Sequence, residues 1–260
     1  ESLNDLQTIN VSNLSDDNVL NYKLYEFGVR RNIEIANFPT YFLRINQRGG
    51  IQSFYETGNR LVYTSSQDYY DWYSRLEQFS NNIKTFLEIN KVGLNKGITQ
   101  PKIITQGVVL QIDTIINSNI DSNPYMKVFL EADENLISSS EKTTLINRAK
   151  ELITNKIIPA YVDLNNFLKN EYLPNSRDSI GISDVPGGKK YYEYLSKFYT
   201  TTNLTPDEIH QIGLEEIVRI RSEMEAIITQ VNWDGDFNSF LNYLRTSPRF
   251  YYDNPDDLFN

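Results

Sequence analysis

Apolar residues recur along this chain at intervals of three and four, the repeat of a helix with one buried face, and seldom alternate as a half-buried strand would require. Ser15-Asp16-Asp17 offers a cap and an acidic first turn to a helix running to about Ala36, with Val19, Leu20, Leu24, Phe27 and Ile33 near one face. From Phe38 to Tyr63 the period is lost. Phe38-Pro39, Arg48-Gly49-Gly50 and Gly58-Asn59 punctuate it, which predicts an ordered loop with at most a short strand. Thr64-Ser65-Ser66-Gln67 has the form of a capping box. It opens a long helix through Tyr69, Trp72, Tyr73, Leu76, Phe79, Ile83, Phe86, Leu87 and Asn90, which Gly93 or Gly97 can end. Thr99-Gln100-Pro101 starts another, carrying Ile104, Val108, Ile112 and Ile115 to about Asn117.

Asn123-Pro124 marks a short turn, and Ser138 to Glu141 a second capping box before Leu145, Ala149, Leu152 and Ile153. The helical repeat then crosses Pro159, whose missing amide predicts a kink or break. Val185-Pro186-Gly187-Gly188 predicts a turn. Thr205-Pro206-Asp207-Glu208 is the best-formed helix start in the chain, with proline at the first helical position. Ile209, Ile212, Ile217, Ile220 and Met224 follow on one face, and Glu215 and Arg219 are spaced as an i,i+4 pair. Asp236 caps a helix over Phe240, Leu241 and Leu244. Asn254-Pro255-Asp256-Asp257 starts one more, so close to Asn260 that the natural protein is expected to continue. These elements predict an all-α fold: a single helical lobe over residues 1–260, with a sub-boundary near 118–138.

Composition narrows the function. With 40% hydrophobic and 23% charged residues, a chain of 260 can bury a core. A net charge of −9 repels phosphate backbones, so nucleic acid is not an expected partner. No stretch approaches the roughly 18 consecutive apolar residues of a membrane-spanning helix, so no transmembrane segment is expected. The absence of cysteine excludes thiol nucleophiles and thiolate metal sites. The first residue is Glu1, not Met. This predicts a processed or cut N-terminus, with room for a lost signal or lipid anchor.

His210 is the one histidine, so no two-histidine zinc motif can form within the chain, and no catalytic or metal-binding residue is assigned. With Thr205, Pro206 and Glu208 it is read as part of a structural helix start. The acidic residues could hold a glycosidase-type carboxylate pair, but nothing in their spacing selects one. Arg48-Gly49-Gly50 and Pro186-Gly187-Gly188 match no phosphate-binding pattern and are read as turns. No serine lies in a Gly-x-Ser-x-Gly elbow.

Leu173-Pro174, Pro186 to Tyr192, and above all Thr200-Thr201-Thr202-Asn203-Leu204-Thr205-Pro206-Asp207-Glu208-Ile209-His210-Gln211-Ile212-Gly213-Leu214 resemble a bacterial family, domain of unknown function family 885. The resemblance runs on through Arg219, Glu223-Met224 and Leu244 to Tyr251, and Ile45 to Gly50 resembles an upstream element of the same family. Its members are large helical proteins, often described as lipoproteins, with a His-Glu-x-x-x-Gly-His-His type motif in the C-terminal half. The resemblance implies a lipid-anchored or free zinc-dependent peptidase of the bacterial cell envelope or periplasm, whose zinc site lies beyond residue 260. The chain would then be the N-terminal lobe forming one wall of a substrate cleft. Its implied partners are a peptide substrate and its own C-terminal half, and Asn46, Gln47, Arg48, Gly49 and Gly50 are the residues expected to reach the cleft. A non-catalytic helical binding or scaffold protein of the envelope is the alternative. A carbohydrate-active enzyme has only acidity and aromatic content in its favour.

Overall fold

The computed structural model describes residues 2–259, and the fold is all-α. Among the described residues the sole β feature is an isolated parallel bridge between Pro101 and Arg177. Two compact units divide between Tyr192 and Glu193. The segment 118–138, where a sub-boundary was expected, lies inside the first unit and supplies Tyr125, Met126 and Phe129 to its core.

In the first unit, α1 (Ser2–Gln7) is followed by α2 (Asp16–Ile35), which keeps Leu20, Leu24, Phe27 and Ile33 about half exposed. The Phe38 to Tyr63 segment holds no strand. It forms 3₁₀ turns at Thr40–Phe42 and Ile51–Ser53 and a short helix, α3 (Tyr55–Arg60). The long helix α4 (Ser66–Asn95) starts one residue later than its sequence suggested. The Asp68 carboxylate accepts from the amides of both Thr64 and Ser65, at 2.7 and 2.9 Å, and an anionic acceptor outcompetes the Gln67 amide, which pairs with Asp71 instead. At the other end Gly97 takes φ +68°. Ile98 then donates to the Gly93 carbonyl and Gly97 to that of Leu94, a Schellman stop that needs glycine's left-handed freedom.

Helix α5 (Lys102–Asn117) and the short α6 (Lys127–Leu130) precede α7 (Ser139–Leu152), whose capping box joins Ser138 and Glu141 as its sequence predicts. Pro159 does not break the path. The backbone widens into a π turn over Ile153–Ile157, and Pro159 falls in the first turn of α8 (Ile158–Phe167), so the helical path continues through it. A second π turn covers Leu168–Tyr172. Helix α8 packs on α4 and α5, and the three enclose Leu76, Phe79, Ile83, Val108, Ile112, Tyr161 and Leu164. Burial on this scale dominates the folding free energy at about 25 cal/mol per Å² of apolar surface.

Helix α9 (Gly188–Thr200) crosses from the first unit into the second. The second unit contains α10 (Pro206–Gln230), α11 (Phe237–Thr246) and α12 (Pro255–Phe259). Asn232, at φ +51°, ends α10: its amide donates to Thr229 O and that of Trp233 to Ile228 O. Trp233 then packs against Phe240 and Tyr243 of α11. The expected Glu215–Arg219 pair does not form. Arg219 is held between Glu216 and Glu223, and Glu215 accepts from Gln211, because the carboxylates one turn to either side give the guanidinium two partners.

Candidate ligand-binding cavity

The loop Asn46–Gly50 has no helical hydrogen bonds of its own and is held by three glutamines. Gln52, itself buried, donates to Asn46 O at 2.8 Å and to Gln111 Oε1 at 2.7 Å, and Gln111 donates in turn to Gln47 O at 3.1 Å. Gln47 reaches across α5 to Ile103 O at 3.2 Å. Two glycines make room: a Cβ on Gly107 would overlap the Gln47 amide, and one on Gly50 would overlap Gln52 Oε1 and Asn46 O. Within the loop the Arg48 amide donates to Asn46 Oδ1 at 2.9 Å.

Just beyond the loop, Tyr161 donates to Ile51 O at 2.9 Å and lies 2.7 Å from the Tyr125 hydroxyl. The proton on Tyr161 is committed to Ile51, so Tyr125 is the donor between the two phenols. Burial raises the pKa of both well above the ordinary phenol value, which keeps them neutral and the link intact.

Between this loop, α3 and α4 lies an open cavity of about 710 Å³, within the size range of small-molecule sites. Its floor is apolar. Phe54 and Phe79 stack there with centroids 4.2 Å apart and an interplanar angle of 11°, beside Phe86, Ile51 and Ile89. Its charged lining is Arg44, Arg48, Arg60 and Glu56. Arg60 is engaged by Glu56 on the next turn of α3. The exposed guanidiniums of Arg44 and Arg48 have no hydrogen bond or ion pair among the described residues. Helix α3 is pinned from behind, because Gly58 lies flat against the buried Trp72 ring and its carbonyl accepts from Tyr63.

Of the loop residues singled out in the sequence, Asn46, Arg48, Gly49 and Gly50 line this cavity. Gln47 turns away to α5 and borders a smaller cavity of about 410 Å³ with Gln52 and Gln111. Sequence reasoning passed over Arg44, Arg60 and the phenylalanines. The aromatic residues carry no signal that separates a cavity floor from core, whereas three arginines within seventeen positions of an acidic chain were a readable one.

The model of a bacterial family described as "Bacterial protein of unknown function (DUF885)" matches residues 1–259. The chain belongs to this family. Comparison with curated proteins finds no match. Among solved structures the chain is similar to a protein from Colwellia psychrerythraea titled a "putative lipoprotein", with a TM-score of 0.71 and 25% identity over 84% of this chain. The match spans only 38% of that protein's length.

The residues present do not fit a zinc site. Among the described residues no three His, Cys, Asp or Glu side chains converge, and His210 is exposed on α10. The residues around it serve the helix start. Thr205 N donates to Glu208 Oε2 at 2.7 Å and Glu208 N to Thr205 Oγ1 at 3.2 Å, with Pro206 in the first turn. The Thr205 amide holds the Glu208 carboxyl below the usual range. No helix among the described residues is long and apolar enough to cross a membrane.

Proposed function

We propose that residues 1–260 form the peptide-binding helical lobe of a larger bacterial envelope protein, whose zinc-dependent peptidase chemistry is supplied by chain outside these residues. The observation that carries this reading is the 710 Å³ cavity with an aromatic floor and a cationic rim in a chain of net charge −9. A peptide end offers the matching pair, an apolar side chain and a charged terminus. The envelope location draws on the lipoprotein title of the Colwellia protein, and the larger protein on the 38% of its length that the match spans.

Helix α10 supports a partner of the same kind. Gly213, Ile217, Ile220, Met224, Ile227 and Val231 follow a seven-residue a/d repeat, the pattern of a helix-packing seam. Ile217, Ile227 and Val231 are nonetheless 65%, 51% and 55% exposed. We assign that seam to a helix from the remaining chain. Because the residues present gather no zinc ligands, the metal would be held there, and no catalytic step is assigned to this lobe.

The test is peptide hydrolysis by the full-length gene product before and after chelation. Activity lost on chelation and restored by zinc is the expected result, whereas activity indifferent to chelators overturns the zinc assignment. The absence of any cluster of metal ligands among the described residues favours a second reading, a non-catalytic binding protein of the envelope. Saturable peptide binding without hydrolysis by the full-length protein would select it.

A further inference from the structure

We propose that the cavity between the Asn46–Gly50 loop and α4 takes a carboxylate borne on an apolar body, with Arg44 and Arg48 gripping the carboxylate and the phenylalanine floor taking the body. This deepens the peptide-binding reading and rests on it for the source of the ligand, the C-terminal end of a peptide.

The charge pattern selects an anion. Three guanidiniums face one carboxylate in the cavity lining, and that carboxylate, Glu56, is already engaged by Arg60. Arg44 and Arg48 are left to act on a ligand. The chain as a whole repels anions, so attraction here depends on this local cluster rather than on the protein's overall field. Guanidinium presents paired N–H groups in the plane and spacing of a carboxylate, which a lysine ammonium could not match.

The floor selects what the anion is attached to. Phe54, Phe86 and Ile89 present rings and methyl groups, with the buried Phe79 stacked beneath Phe54 and uncharged polar groups on Asn46, Asn82 and Thr85 at the border. A sugar would leave most of its hydroxyls unpaired against that floor. A polyphosphate would carry more negative charge than two free guanidiniums neutralise and would press the remainder against phenyl rings, which is costly. A C-terminal phenylalanine or leucine, with its α-carboxylate beside its apolar side chain, meets both surfaces. Asn46 adds a donor, since its Oδ1 is taken by the Arg48 amide and its NH₂ group remains.

Isothermal titration of the full-length protein, treated with a chelator so that peptide is not cleaved, tests this with four probes: N-acetyl-Ala-Phe with a free carboxylate, the same compound as its C-terminal amide, 3-phenylpropionate and inorganic phosphate. The free carboxylate peptide is expected to bind at least about tenfold more tightly than its amide. Arg44→Gln and Arg48→Gln should each remove most of that difference while leaving the thermal midpoint in place, since both side chains are exposed. Equal binding of peptide and amide overturns the carboxylate assignment and leaves the peptide-binding reading standing. If 3-phenylpropionate matches the peptide, the carboxylate assignment stands and the peptide source falls. Phosphate competing as well as the peptide, or no binding of any carboxylate, overturns the proposal.

Discussion

Gly107 on α5 leaves the gap that the Gln47 side chain fills on its way to the Ile103 carbonyl, so a missing side chain on one element fixes the position of a loop on another. This sets an unusual sign for a helix substitution. At an unobstructed helical site Gly→Ala stabilises by about 1 kcal/mol. Gly107→Ala must instead expel the Gln47 amide, so the gain should vanish and ligand affinity should fall as the Asn46–Gly50 loop loses its anchor. Chemical denaturation with titration of N-acetyl-Ala-Phe checks this, and a stabilisation of about 1 kcal/mol with unchanged affinity would contradict it.

Gly58 makes the same argument against a neighbour that cannot give way. A Cβ there would enter the Trp72 ring, which is buried in the main core. Overpacking of this kind costs about 1–3 kcal/mol. Gly58→Ala should destabilise by that amount despite alanine's better helix propensity, as read from urea unfolding.

Tyr161→Phe removes one oxygen and strands two partners, the Ile51 carbonyl and the Tyr125 hydroxyl. Leaving buried polar groups unpaired costs about 1–3 kcal/mol. Tyr125→Phe, which leaves the bond from Tyr161 to Ile51 in place, should cost less. Equal losses in the two variants would show that the proton assignment between the phenols is wrong.

Stability should fall at both ends of the pH scale. The amides of Thr64, Thr205 and Ser239 hold Asp68, Glu208 and Asp236 below the ordinary carboxylate range, and the Ser138 hydroxyl does the same for Glu141. A carboxylate depressed in the fold stabilises above its unfolded value of about 4, and that contribution is lost as pH falls through its folded value. Burial pushes Tyr63 and Tyr172 up to about 12, so their contribution is complete below about 10 and is lost as pH rises towards 12. Thermal melts across pH 2 to 12 should show both limbs. Asp68→Asn should flatten the acid one.

The helices were legible because their start signals are local. Ser138 with Glu141, Thr205 with Glu208, and Asp236 cap helices where their spacing indicates. The cap of α4 was misplaced by one residue because Gln67 and Asp68 both offer acceptors, and only geometry decides between an amide and a carboxylate. The Pro159 outcome was not legible, since a π turn depends on how the helix packs and not on the proline alone. The loop at Asn46–Gly50 stood out through its glycines and its resemblance to a family element. The cavity it borders did not, because Arg44 and Phe86 are brought to it by tertiary packing.

Hydrogen–deuterium exchange of the full-length protein, with and without saturating N-acetyl-Ala-Phe, tests the placement of the ligand most directly. The account predicts slowed exchange in the segment 44–60 and in α4 around Phe79 to Ile89. Saturable binding with protection confined to other segments would contradict it.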